Sequence, residues 1–162
     1  MAVPAIPPGL HAVIPHLVVA GGLKAIEFYQ QAFGATLLAK MMLPDGQSLM
    51  HAHLTIGEGH FFLVDEMPGK CDSKSPLNLG GCSASFYLYV ADVDASVSRA
   101  VAAGARLMMP PTDMFWGDRF SSLADPFGHV WSLATHKEDV TPEQMRERAK
   151  EMFAKMGNEQ GK

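Results

Sequence analysis

The stretch Asp113–His136, DMFWGDRFSSLADPFGHVWSLATH, decides how the chain is read. An aromatic loop leads into a strand, a tight turn and a second strand. Asp125-Pro126-Phe127-Gly128 has turn chemistry throughout: Asp at the first position, Pro fixing φ at the second, Gly at the fourth. With Arg119–Ala124 before the turn and His129–Thr135 after it, the spacing predicts an antiparallel hairpin. A weaker copy lies upstream, where Ala52–Ile56, Gly57-Glu58-Gly59 and His60–Asp65 make a second short hairpin.

Working outward, the same order of elements occurs twice. Ile14–Ala20 is a strand, and Leu23, Ile26, Tyr29 or Gln30, and Phe33 then recur at helical spacing until Gly34 stops them. Thr36–Met42, Ser48–Ile56 and His60–Asp65 complete a β-α-β-β-β unit, and residues 68–81 form an aperiodic linker. Ser85–Ala91 opens the second unit. Asp92 or Asp94 caps a helix with Val93, Val97, Ala100 and Val101 on one face, and Gly104 ends it. Arg106–Met109, Arg119–Ala124 and His129–Thr135 are its three remaining strands. His16 aligns with Tyr87 at an offset of 71 residues and Gly34 with Gly104 at 70, which marks an internal duplication. The predicted class is α+β: two tandem βαβββ modules, about 13–66 and 84–136, forming a curved half-barrel around a concave pocket. They make one domain, 1–140.

Residues 141–162 are separate. Thr141-Pro142-Glu143-Gln144 is a capping box with Pro at the first helical position. Met145, Ala149, Met152 and Met156, with Phe153 beside them, form an apolar stripe. A lone helix of about 15 residues is marginal in water, so the stripe packs either on its own domain or on a second subunit.

Composition narrows the function classes. A chain of 162 residues, 48% hydrophobic and 19% charged, is globular. A net charge of −4 without a basic cluster argues against nucleic acid. The apolar run around Ala84–Ala91 is far short of the ~20 residues that span a bilayer. The proline-broken N-terminus lacks the charged start of a secretory signal. Cys71 and Cys82 read as reduced, structurally neutral thiols. A cytoplasmic protein is expected.

Strand periodicity nominates the site. His51, His53 and Thr55 share the face opposite Ala52, Leu54 and Ile56; His16 sides with Ile14 and Val18, and Tyr87 with Ser85 and Tyr89. A face carrying His16, His51, His53, Tyr87 and Tyr89 has ligand-pocket composition. Phe115 and Trp116 are candidates to stack a flat or cationic ligand at its mouth. Arg119 is a candidate anion clamp, its alternative being an ion pair with Asp118 or Asp113. His129 reads as packing or capping, His136 as a solvent-facing strand end, and Glu58-Gly59-His60 as a plain turn. No G-x-S-x-G elbow, H-E-x-x-H motif or phosphate-cradling glycine loop occurs, and no catalytic residue is assigned.

The doubled order, together with IPHLVV (14–19), FYQQAFGA (28–35), MFWGDRF (114–120), DPFGHVWSLATH (125–136) and KEDVTPEQM (137–145), resembles the vicinal oxygen chelate superfamily. That is the glyoxalase I, bleomycin-resistance and extradiol-dioxygenase group, and the likeness is greatest to its PhnB-like branch. The resemblance implies paired modules, usually a homodimer, and a concave site. Metal-dependent members take ligands from the first and last strand of each module. Carried over by position, those places are His16, Leu63, Tyr87 and Ser132, of which His16 alone is a good ligand, against about three that a catalytic metal needs. The resemblance thus implies a small-molecule binder without a catalytic metal or other cofactor, taking an aromatic or amphipathic compound as bleomycin-resistance proteins do. The expected ligand-binding set is His16, His51, His53, Tyr87, Tyr89, Trp116, Arg119 and Ser132. The alternative is a metal-dependent lyase, isomerase or dioxygenase holding Zn, Ni, Mn or Fe on His16, His51 and His53. A third reading makes the C-terminal helix a docking surface.

Overall fold

Each half of the chain builds the same elements because each carries the same order of periodicities and stops. A computed structural model describes residues 3–67, 69 and 72–159, with side chains through 154. The first module is β1 (His16–Val19), α1 (Gly22–Phe33), β2 (Thr36–Met42), β3 (Leu49–Ile56) and β4 (Gly59–Asp65). The linker contains a short helix, α2 (Pro76–Leu79), that lacks a periodic signature. The second module is β5 (Ser85–Tyr89), α3 (Val93–Ala102), β6 (Arg106–Asp113), β7 (Asp118–Ala124) and β8 (Val130–His136), and α4 (Pro142–Glu159) follows. Cys71 lies outside the described residues, as does the side chain of Met156. Among the described residues no helix is long and apolar enough to cross a membrane.

The modules form two open four-stranded sheets of identical plan, β1-β4-β3-β2 and β5-β8-β7-β6. In each, the first strand lies parallel to the last and the others are antiparallel. The half-barrel expected from the sequence takes this form, two sheets each hydrogen-bonded within itself. Strand β6 runs on through Pro110 and Pro111, beyond the expected Met109. It is the edge of its sheet, where a missing N–H costs no ladder bond.

The duplication extends to how the helices are held. Asp65, ending β4, accepts from the amides of Gly21 (2.9 Å), Gly22 (2.6 Å) and Leu49 (2.7 Å). Thr135, at the matching place in β8, accepts from the Val93 amide at 2.9 Å. Both modules therefore supply an oxygen to the free N–H groups that start their helix. Gly22 fits a close approach, because an added Cβ would lie 2.8 Å from Leu49 Cβ and 3.2 Å from the Asp65 carboxylate. Asp92, rather than Asp94, caps α3, accepting from Ala95 N at 3.0 Å. On α1 the buried stripe includes Ala25, Ile26, Phe28, Tyr29, Ala32 and Phe33, whereas Leu23 and Gln30 face outward. On α3 Val93, Ser96, Val97 and Ala100 are buried, and Val101 is exposed.

One core joins the modules. Phe33 and Phe61 of the first module meet Trp131 of the second, at 4.6 and 6.3 Å between ring centroids. The turn at Asp125 is the anchor. Its buried carboxylate accepts from the amides of Phe127 and His129 (2.9 Å each), from Trp131 Nε1 (3.0 Å), and from the hydroxyl of Tyr29 on α1 (2.8 Å). A carboxylate is tolerated at such depth only when its lone pairs are met by donors, and here one donor comes from the other module. Burial raises the Tyr29 phenol well above its ordinary value, and Asp125 adds to the shift.

The C-terminal helix opens with a reciprocal capping box. Thr141 N donates to Gln144 Oε1 (3.0 Å) and Gln144 N to Thr141 Oγ1 (3.3 Å). The helix meets the body through an ion pair between Arg148 and Glu138 and a Phe115–Phe153 ring contact at 6.4 Å, leaving Phe153 exposed.

Candidate functional site

With the helices on one face of each sheet, the other faces are open, and alternation decides what stands on them. On the first sheet Phe62 is centred, paired with His16 on β1 and His53 on β3. Its ring lies 6.1 Å from that of His16, 4.8 Å from His51 and 5.1 Å from His53. His53 Nε2 and His60 Nδ1 share a hydrogen bond at 2.8 Å, so one ring donates and the other must be unprotonated at that nitrogen. Burial lowers the His16 pKa and neighbouring His51 lowers it further; burial also lowers that of His53, helped by His60 and His51. Among the described residues none of these four rings hydrogen-bonds a carboxylate. Two imidazoles of this face, His16 and His53, are thus biased toward the neutral form by burial and by their histidine neighbours.

The second sheet is built around a carboxylate. Asp118, the first residue of β7, is 3% exposed. It accepts from His136 Nδ1 (2.8 Å), Tyr89 OH (3.0 Å), Trp116 Nε1 (3.1 Å) and Tyr87 OH (3.2 Å). Burial pushes its pKa up, but the bonds from His136, Tyr89, Tyr87 and Trp116 prevail and hold the carboxyl below its ordinary range. His136 also reaches Asp139 at 3.1 Å, and with a carboxylate at each nitrogen its pKa rises, through Asp118 first. Burial and the bond to Asp118 push the Tyr87 phenol up to about 12. Tyr89 is raised too, chiefly by its bond to Asp118. Both rings present surface, at 49% and 61% exposure, and lie 5.2 Å apart. Trp116 reaches this face because Gly117 turns the chain at φ 98°, where an added Cβ would strike the Glu138 carbonyl and lie 2.8 Å from Val140 Cγ2.

The expected residues are thus divided. His16, His51 and His53 come together on the first sheet's face, and Tyr87, Tyr89, Trp116 and Ser132 on the second's. His60 of the first face and Tyr87 of the second both line a seam cavity of about 140 Å³. Arg119 belongs to neither face. It follows Asp118 on the strand and points to the helix side, with a bidentate bond to Asp94 (2.6 and 2.9 Å) and a third to Asp113 (3.0 Å). Its guanidinium is already occupied by two carboxylates, as the Asp113 ion-pair alternative anticipated in part.

The ligand positions carried over from the resemblance need one correction. Leu63 is fully buried on the helix side. The residue that stands opposite His16, as Ser132 stands opposite Tyr87, is Phe62. A one-residue slip on a strand exchanges the faces. The four places are therefore His16, Phe62, Tyr87 and Ser132, and Tyr87 gives its proton to Asp118. Among the described residues no three His, Cys, Asp or Glu side chains are placed to hold a metal ion, His16, His51 and His53 included. The residues present do not fit a catalytic divalent ion.

Sequence reading missed Asp118 as a centre, weighing it only as a partner of Arg119; neighbours on a strand face opposite ways, and that signal was available. His136 is exposed, as its reading as a solvent-facing strand end expects, but its bond to Asp118, like that of His60 to His53, lies with a residue of an adjacent strand that spacing alone did not indicate.

Comparison with known proteins agrees with the fold. Residues 10–133 match the model of the Glyoxalase/Bleomycin resistance protein/Dioxygenase superfamily. An uncharacterized protein of Mycobacterium bovis is 42% identical over 137 residues, 83% of this chain and 90% of that protein. The crystal structure of TioX from Micromonospora sp. ML1 superposes with a TM-score of 0.60 at 26% identity, over 78% of this chain and 99% of that one. A PhnB protein from Bacillus cereus, described as a putative 3-demethylubiquinone-9 3-methyltransferase, gives a TM-score of 0.60 at 18% identity, over 77% and 99%, and so shares the fold. By its duplicated modules and by this match over most of its length, the chain belongs to the glyoxalase/bleomycin resistance protein/dioxygenase superfamily.

Proposed function

We propose that the protein binds a flat aromatic or amphipathic small molecule on the open face of the second sheet, without a catalytic metal. The observation that carries this reading is the arrangement around Asp118. Tyr87 and Tyr89 spend their hydroxyl protons on the carboxylate, so their oxygens offer lone pairs and their rings offer half-exposed π faces. Such a surface favours planar ligands that bear N–H groups or positive charge. The donor set at the four family positions, with His16 as its one good ligand, supports binding over metal chemistry. The exposed Met41, paired with His51 on the open side of the first sheet, and the half-bare tyrosines of the second favour a homodimer whose second copy covers the open faces. A cytoplasmic location accords with the free thiol of Cys82.

Proflavine, a planar cation, and anilinonaphthalene sulfonate, a planar anion, serve as probes, followed by tryptophan fluorescence. The cation binds more tightly, EDTA leaves its affinity unchanged, and Tyr89→Ala weakens it by on the order of tenfold. Affinity abolished by EDTA, or indifferent to Tyr89→Ala, contradicts the reading.

A further inference from the structure

A further cleft of about 570 Å³, which shares His16 with the first open face, lies where β1 of the first module meets the linker and the second module. Its walls include Val18, Leu79 and Phe86, with Lys74, Cys82 and His129 supplying the chemistry. His129 is buried, at 6% exposure, and its Nε2 lies 3.1 Å from the carbonyl oxygen of Val18. A carbonyl only accepts, so Nε2 carries a proton, and in the tautomer this selects the lone pair of Nδ1 points the other way. That lone pair faces Cys82 Sγ at 3.9 Å. The thiol has a second acceptor in the Ala84 carbonyl at 3.1 Å, between which and His129 its proton can rotate. Nucleophile, base and the group that fixes the base's tautomer thus come from three segments, 47 and 111 residues apart for the two contacts of His129, beyond the reach of any local motif.

We propose that Cys82 and His129 form a nucleophile–base pair, and that this cleft captures small, uncharged α,β-unsaturated carbonyl compounds as thioethers. Thiols add to such alkenes as thiolates, and a base in hydrogen-bond reach generates the thiolate where it is used. Sγ bonds to the β-carbon while the alkene π pair moves onto the α-carbon and carbonyl oxygen. The thiol proton passes to Nδ1 of His129 and is returned to the α-carbon. No leaving group departs, and nothing is oxidised or reduced. Apolar walls suit an uncharged organic electrophile, and Lys74, the one Lys or Arg in the described lining, has the sign that favours the enolate oxygen.

The test uses the full chain with Cys71→Ser, leaving one thiol, and follows acrylamide addition by intact mass at pH 7. Cys82 in the folded protein reacts at least about tenfold faster than glutathione, and than the same chain unfolded in urea. His129→Gln removes that advantage. A folded-state rate no greater than that of glutathione overturns the proposal, as does a folded His129→Gln variant of undiminished rate. Should His129→Gln fail to fold, the folded-against-urea comparison decides alone.

Discussion

On the first open face the central position holds Phe62, ringed by histidines; at the matching place on the second stands Ser132, beside a carboxylate with four donors. The backbone beneath them is the same in strand order and pairing. Toward the helices the modules also remain alike, down to the oxygen that Asp65 and Thr135 each give to a helix start. The difference lies on the open side. Packing against a helix constrains what a strand residue can be, whereas an open face only has to be tolerated by water and by what binds there. One face has become a set of imidazoles around a phenyl ring and the other a polarised phenol pair.

The largest separation of the two faces comes from removing the carboxylate. Asp118→Ala leaves Tyr87, Tyr89 and Trp116 without this acceptor and His136 with Asp139 alone, and the loss of stability is about 3 kcal/mol. Urea unfolding measures it, and proflavine affinity falls with it. An unchanged midpoint would show that the second face is not organised by its carboxylate.

A smaller effect follows from Phe62→Ala. The ring is half-buried, so the cost is roughly 1–2 kcal/mol. Water admitted beside His16 and His53 relieves the burial that lowers their pKa values. Histidine titration by NMR moves upward for both, while His136 stays in place.

The smallest effect is the pH dependence, and the two faces carry opposite signs. His16 and His53 have folded pKa values below the ordinary 6.5. Below 6.5 the unfolded chain binds the proton more readily, so these residues destabilise the fold as pH falls from there through their folded values. His136 has a raised folded value. It contributes stability that is complete below 6.5 and lost as pH rises through the folded pKa. Asp118, with a lowered value, contributes above the ordinary carboxyl range and loses that contribution only in stronger acid. Unfolding midpoints between pH 7.5 and 5.5 therefore rise more on acidification in a His16→Gln/His53→Gln variant than in the parent, and fall more in His136→Gln.

The features legible in the sequence are those whose cause is local. Turn chemistry at Asp125–Gly128, the glycine stops at Gly34 and Gly104, and the Thr141–Gln144 capping box each specify their geometry within a few residues. Repetition of those signals then gave the two modules. What escaped depends on contacts between distant segments. The role of Asp118 requires β5 and β8 to be paired beside β7. The tie from Asp125 to Tyr29 spans 96 residues. Whether Phe62 or Leu63 faces outward is a matter of one-residue register, which apolar residues on both sides of a strand do not reveal.

The claim on which the reading of function rests is that the positions His16, Phe62, Tyr87 and Ser132 no longer hold a catalytic ion. Elemental analysis of the purified, dialysed protein tests it most directly. The account predicts substoichiometric Zn, Ni, Mn and Fe, with the same content in His16→Ala. One ion per chain, lost in that variant, would contradict it.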